Sequence, residues 1–188
     1  MLGLAVLLLA ATSSAAQSKL DFPALTGRVV DQANLLSPQT ELALTDKLAA
    51  LEASSSDQLV VVTLNSLQGQ EIEDYGYRLG RAWGIGETGR NTGALLIVAP
   101  TERAVRIEVG YGLEGVLTDA LSRNIIETDL LPAFRTGNYE QGILAGTASI
   151  LRTLGYEPAD APAAAPRSAP ETGGAIGMMF VILMILFF

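Results

Sequence analysis

Two short apolar runs constrain this chain more than any other feature in it. Residues 59 to 64 read LVVVTL and residues 93 to 99 read GALLIVA. A strand with one wet face alternates polar and apolar residues, whereas nearly continuous β-branched runs of this length belong to strands covered on both faces. The covering layers must come from the segments around them.

Those segments read as helices. Ser37 followed by Pro38 is a capping hydroxyl with proline at the first helical position, and Leu44, Leu48 and Leu51 carry an apolar face on to Ala53. Glu71 to Trp83 predicts a second helix with Ile72, Tyr75, Leu79 and Trp83 along one stripe, which places Tyr75 and Trp83 in the core. After a turn from Pro100 to Arg103, Val105, Ile107 and Val109 alternate with Arg106 and Glu108. This alternation predicts an antiparallel partner near a sheet edge, with one face in water. Further helices are expected over Thr118 to Thr128, in a short piece broken before Pro132, and over Tyr139 to Leu154, the last opened by a capping box of Asn138 and Gln141 and closed by Gly155. The order helix, strand, helix, strand, strand, helix, helix predicts an α/β fold: a three-layer α/β/α sandwich with a small mixed sheet. A right-handed crossover is expected between its first two strands.

Four regions follow along the chain. Residues 1–16, with the apolar run LGLAVLLLAA and small residues before Gln17, are expected to be a signal peptide. Residues 17–156 are the α/β domain. Residues 157–172 form a Pro/Ala-rich linker, and residues 173–188 read GGAIGMMFVILMILFF, an uncharged C-terminal transmembrane segment. As a helix this segment rises roughly 24 Å against a hydrocarbon core of about 30 Å, so it is expected to continue beyond Phe188. The protein is therefore expected to be exported to the periplasm, or another extracytoplasmic face, and anchored in the inner (cytoplasmic) membrane.

Composition narrows the chemistry. The chain has no His and no Cys. It cannot build a Ser/His/Asp triad, a Cys/His dyad, a histidine phospho-intermediate, a disulfide, or metal sites made of the usual nitrogen and sulfur ligands. Carboxylates, amides, hydroxyls and carbonyls remain, the ligand set of calcium and magnesium. The net charge of -8 argues against a general grip on nucleic acid.

Two segments match G-x-G-x-x-G: Gly84, Gly86 and Gly89, and Gly110, Gly112 and Gly115. Neither sits between a strand and the helix of a βαβ unit, so no nucleotide cofactor is expected. The second segment, Val109 to Asp119, carries Glu114 and Asp119 and can turn backbone carbonyls inward, as a hard cation requires. Two readings of these acids stay open: cation ligands, or a solvated Glu114 with Asp119 stabilising a helix start. Asp31 lies in a loop before the first helix and alone reads as a turn residue. Asn91, in the polar loop from Gly86 to Gly93, can add an amide oxygen or form a turn.

Several stretches taken together carry a resemblance: GRVVDQANLLS, LVVVTLNSLQG, YRLGRAWGIG, NTGALLIVA and RIEVGYGLEGVLTD. In order from about Gly27 to Leu151, the chain resembles the TPM domain family. The resemblance implies an α/β/α sandwich, divalent-cation binding in some members, and roles with membrane complexes such as photosystem II repair in the thylakoid lumen and modulation of acetylcholine receptors. It also implies an acid phosphatase activity, attributed to a plant member. On matching positions, Asp31, Glu114 and Asp119 become the candidate metal ligands, with Asn91 beside them.

Two functions compete. One is a membrane-tethered module that binds a divalent cation, calcium first, and a membrane-protein complex. The other is a metal-assisted acid phosphatase acting on phosphomonoesters. The absence of a D-x-D nucleophile pattern, and of any Lys or Arg between Val109 and Asp119, favours the binding module. Arg90, Arg103 or Arg123 would have to reach in to hold a phosphate. The identity of any small-molecule substrate is left open.

Overall fold

The computed structural model describes residues 20–86 and 89–156. The expected signal peptide, linker and C-terminal segment lie outside them. Among the described residues, no helix is long and apolar enough to cross a membrane.

Four strands form one mixed sheet: β1 (Val29–Asp31), β2 (Gln58–Thr63), β3 (Gly93–Ala99) and β4 (Ala104–Val109), in that spatial order. The first three are parallel and β4 is antiparallel to β3. Helix α1 (Pro38–Ser55) connects β1 to β2, and α2 (Ile72–Trp83) connects β2 to β3. Helices α3 (Asp119–Ile125), α4 (Leu131–Arg135) and α5 (Tyr139–Thr153) follow β4.

The two apolar runs are the central strands, covered on both faces as their composition requires. Leu59, Val61, Ala94, Leu96 and Val98 pack with Leu44, Leu48 and Leu51 of α1 and Ile143, Ile150 and Leu151 of α5. Val60, Val62, Leu95 and Ile97 pack on the other face with Tyr75 and Leu79 of α2 and with Phe22. Phe22 meets Tyr75 edge to face at 5.2 Å, and the Trp83 indole N–H donates to the Pro23 carbonyl at 2.8 Å. Tyr75 is buried and Trp83 half-buried. The result is a small, open mixed sheet flanked by helices.

Four local expectations need correction. Strand β1, read from the sequence as a loop, has only three residues and takes its form from pairing with β2. The face of β4 expected to be wet is largely covered: Arg106 Nε donates to Glu108 at 2.6 Å, and its guanidinium also lies 3.7 Å from Glu73 of α2. The chain does not break before Pro132. A π turn at Ile126–Leu130 leads into α4, with the Leu131 N–H bonded to the Ile126 carbonyl, and this wider turn accommodates a proline that would clash in a regular helix. The capping box at Asn138 does not form, because its backbone (φ -85, ψ 64) is not extended and its side chain makes no cap bond. In α5, an added Cβ at Gly142 would meet Phe134 at 2.5 Å, and one at Gly146 would meet Leu130 at 2.6 Å. These two glycines let the π turn and α4 lie directly on α5.

The start of α1 is tied to the start of α5. Ser37 Oγ accepts from the Thr40 N–H at 3.3 Å and donates to Glu140 at 2.7 Å, and the Ser37 N–H also reaches Glu140 at 3.2 Å. Hydrogen bonding from Thr40, then from the Ser37 hydroxyl and amide, holds the Glu140 carboxyl below its usual value of 4.5. A carboxylate lowered in the fold stabilises it above the unfolded pKa, and this contribution disappears as pH falls through the folded value. Glu140→Gln should therefore flatten the stability profile below about pH 4.5 while changing little once the pH lies below the lowered folded-state value. Thermal melts at stepped pH measure the difference from the parent.

Candidate functional site

The two glycine-rich segments meet at one end of the sheet, where the chain enters β3 and leaves β4. Gly84, Gly86 and Gly89 have positive φ (62, 97 and 86), the left-handed region open to glycine. The Gly86 N–H donates to the Gln58 side chain at 2.8 Å, fastening this loop to the start of β2. From the other side, the Gly110 N–H bonds the Gly93 carbonyl at 2.7 Å and the Gly112 N–H bonds the Asn91 carbonyl at 3.1 Å. A Cβ at Gly110 would lie 2.3 Å from the Asn91 oxygen, and one at Gly112 would lie 2.2 Å from the Arg90 oxygen. Here the glycines serve backbone-to-backbone packing.

Beside this junction lies a depression of about 600 Å³, within the ordinary size of a ligand site. Tyr77 and Arg81 of α2 line one side, Asn91 the loop, and Glu108, Tyr111 and Glu114 the other. Tyr111 opens a short 3-10 turn (Tyr111–Leu113) that places it and Glu114 one turn apart. The Arg81 guanidinium sits 5.6 Å above the Tyr77 ring and donates to its hydroxyl at 3.2 Å. Glu108 is paired with Arg106, whereas Glu114 is exposed and has no hydrogen bond or ion pair among the described residues.

Of the four candidate ligands, the depression brings together Asn91 and Glu114. Asp31 lies at the far end of the sheet: it is level with Thr63, and Thr63 with Val98, five positions from Gly93 and so about 17 Å along β3. Its carboxylate accepts from the Leu35 N–H at 3.1 Å, the Leu36 N–H at 2.9 Å and the Thr63 hydroxyl. The buried Thr63 oxygen in turn accepts from the Ala33 N–H at 2.9 Å. Asp31 thus organises the turn between β1 and α1. Asp119 is exposed in the first turn of α3, next to the cap Thr118, and is not among the residues lining the depression. Among the described residues, no three acidic side chains converge as a metal cage.

Sequence reasoning missed Tyr77, Arg81, Glu108 and Tyr111 as lining residues. The available signal was the Tyr77 and Arg81 pair, one helical turn apart and off the buried stripe of α2.

The solved structures most informative for this fold are bacterial. The N-terminal domain of a P. gingivalis protein is 40% identical with a TM-score of 0.64, the match covering 69% of this chain and 82% of that one. The N-terminal domain of cg2496 from Corynebacterium glutamicum is 21% identical with a TM-score of 0.53, covering 71% of this chain and 82% of that one. BA42 from the psychrophilic Bizionia argentinensis is 20% identical with a TM-score of 0.55, covering 63% and 81%. No protein of curated function matches. The TPM domain matches residues 29–153, from the first strand to the end of the last helix, and the chain belongs to the TPM domain family.

Proposed function

We propose that this protein is an extracytoplasmic TPM domain, exported and held at the inner membrane by its C-terminal apolar segment, which binds a divalent cation, calcium first, and supports the maintenance, assembly or modulation of membrane-protein complexes. The observation carrying the cation reading is the joint placement of Asn91 and the unpaired Glu114 on one glycine-walled depression. Every donor there is an oxygen, which suits a hard cation. One free carboxylate with neutral oxygens fits the weak class of sites, on the order of 0.1 to 1 mM, which is adequate outside the cytoplasm. In the same reading Asp31 holds the turn between β1 and α1 at the other end of the sheet, and Asp119 stands in the first turn of α3.

Glu114→Gln should weaken calcium binding about tenfold or more, since among the described residues it removes the one carboxylate lining the depression that has no ion-pair partner. Calorimetry on the parent and variant checks this, and equal affinities would remove the site from Glu114.

A second reading is favoured by Arg81, which supplies the depression with the phosphate-holding cation absent from the Val109 to Asp119 loop. It is a metal-assisted phosphatase acting on phosphomonoesters, with the cation polarising the phosphoryl group and Glu114 holding the water. Hydrolysis of a generic phosphomonoester with calcium, magnesium or manganese, lost in Arg81→Ala, would favour it over the binding module.

A further inference from the structure

Strand β4 ends the sheet with an open edge. Because the Gly110 N–H points to Gly93 of β3, the alternation of the ladder turns the N–H and C=O groups of Val105, Ile107 and Val109 away from β3. Among the described residues these groups have no hydrogen-bond partner. Among the described residues the edge has no proline, no bulge and no covering strand, and its two charges, Arg106 and Glu108, are paired with each other. The opposite edge, β1, is only three residues long.

We propose that a second copy of this chain occupies the β4 edge, in an antiparallel two-fold pair centred on Ile107. The pattern of the strand is self-complementary about that residue. Val105 falls opposite the second copy's Val109, so the outward main-chain groups meet in register, and Arg106 falls opposite Glu108 on the face toward α2. Centring the pair one residue earlier sets Arg106 against its own copy, and one residue later sets Glu108 against its own copy. Both alternatives are disfavoured by like charge.

Helix α2 repeats the pattern on the same axis. Gly76 lies between Arg106 and Glu108, since its added Cβ would be 3.8 Å from the Arg106 side chain and 3.7 Å from the Glu108 carboxylate. Gly76 and the neighbouring Tyr77 therefore sit level with Ile107. Along the exposed side of α2 run Glu73, Tyr77 and Arg81, spaced by one helical turn, with Tyr77 54% exposed. The two-fold that pairs β4 places Tyr77 against Tyr77 and Glu73 against Arg81 of the other copy. Since α2 lies over the gap between β3 and β4, strand pairing sets the two helices about 10 Å apart, a normal packing distance. An isologous interface requires opposite charges on either side of its centre, here present as Arg106 and Glu108 about Ile107 on β4 and as Glu73 and Arg81 about Tyr77 on α2.

The test uses the full chain in native membranes and exploits its lack of cysteine. Tyr77→Cys treated with a short bis-maleimide should yield a covalent dimer, whereas Leu42→Cys, 68% exposed on α1 across the sheet, should not. Adding Arg81→Glu to the Tyr77→Cys chain should cut the yield about tenfold by turning two opposed pairs repulsive, and adding Glu73→Arg as well should restore it. Equal yields from the two cysteine positions, no yield from Tyr77→Cys, or a yield indifferent to Arg81→Glu would overturn the proposal. Tyr77 and Arg81 also line the depression, so cation binding is read separately, by calorimetry on Glu114→Gln in the otherwise parental chain, and cross-linking decides the pairing alone.

Discussion

Gly110→Ala is expected to be among the most damaging single-carbon additions in the domain. The new methyl would stand 2.3 Å from the Asn91 carbonyl oxygen and 2.8 Å from that of Gly93, and both neighbours are backbone. Side chains can rotate out of a clash, but these oxygens accept the bonds from Gly112 and Gly110 that hold the two loops together. Relief requires the start of β3 and the end of β4 to separate. The expected loss is about 3 kcal/mol, a large share of the 5 to 15 kcal/mol typical of a domain. Gly115 provides the control: its added Cβ meets nothing within 4 Å, so Gly115→Ala should stay within about 0.5 kcal/mol of the parent. Urea denaturation of the three proteins reads the difference. A Gly110→Ala midpoint equal to that of Gly115→Ala would mean that the loop junction is looser than described.

The second large effect is expected at Asp31. Asp31→Ala removes the acceptor for the Leu35 and Leu36 amides and for the Thr63 hydroxyl, which is fully buried. Charge-assisted bonds of this kind contribute about 1.5 to 3 kcal/mol each, partly recovered when water reaches the amides, so a loss of about 3 kcal/mol is expected. Asp31→Asn keeps one accepting oxygen and should lose roughly half as much. Thermal and urea denaturation measure both. A variant that kept parental stability but lost calcium affinity would return Asp31 to the role of a ligand and break the assignment of its carboxylate to the turn.

The contrast between Asp31 and Glu114 shows what the sequence could convey. The composition of LVVVTL and GALLIVA demands cover on both faces, and the strands lie at the centre of the sheet. The alternation from Val105 to Val109 marked an edge strand, and β4 is one. These are properties of local pattern. Strand β1 left no periodic trace, because three residues cannot show a period and its pairing with β2 is tertiary. For the same reason the resemblance could name Asp31, Asn91, Glu114 and Asp119 as a set without their distances. Placing Asp31 at the opposite end of the sheet from Asn91 depends on the register of three strands. The two G-x-G-x-x-G matches were legible as glycine, but that their task is to let two loops touch follows only from the way β3 and β4 pair.

NMR titration of residues 17–156 with calcium reads the proposed cation site at the junction of these loops. Saturable amide shifts are expected at millimolar calcium, centred on Asn91 and the Gly110 to Glu114 stretch, with the Ala33 to Leu36 turn around Asp31 unmoved. Shifts centred on Asp31, or no saturable response at millimolar calcium, would contradict that site.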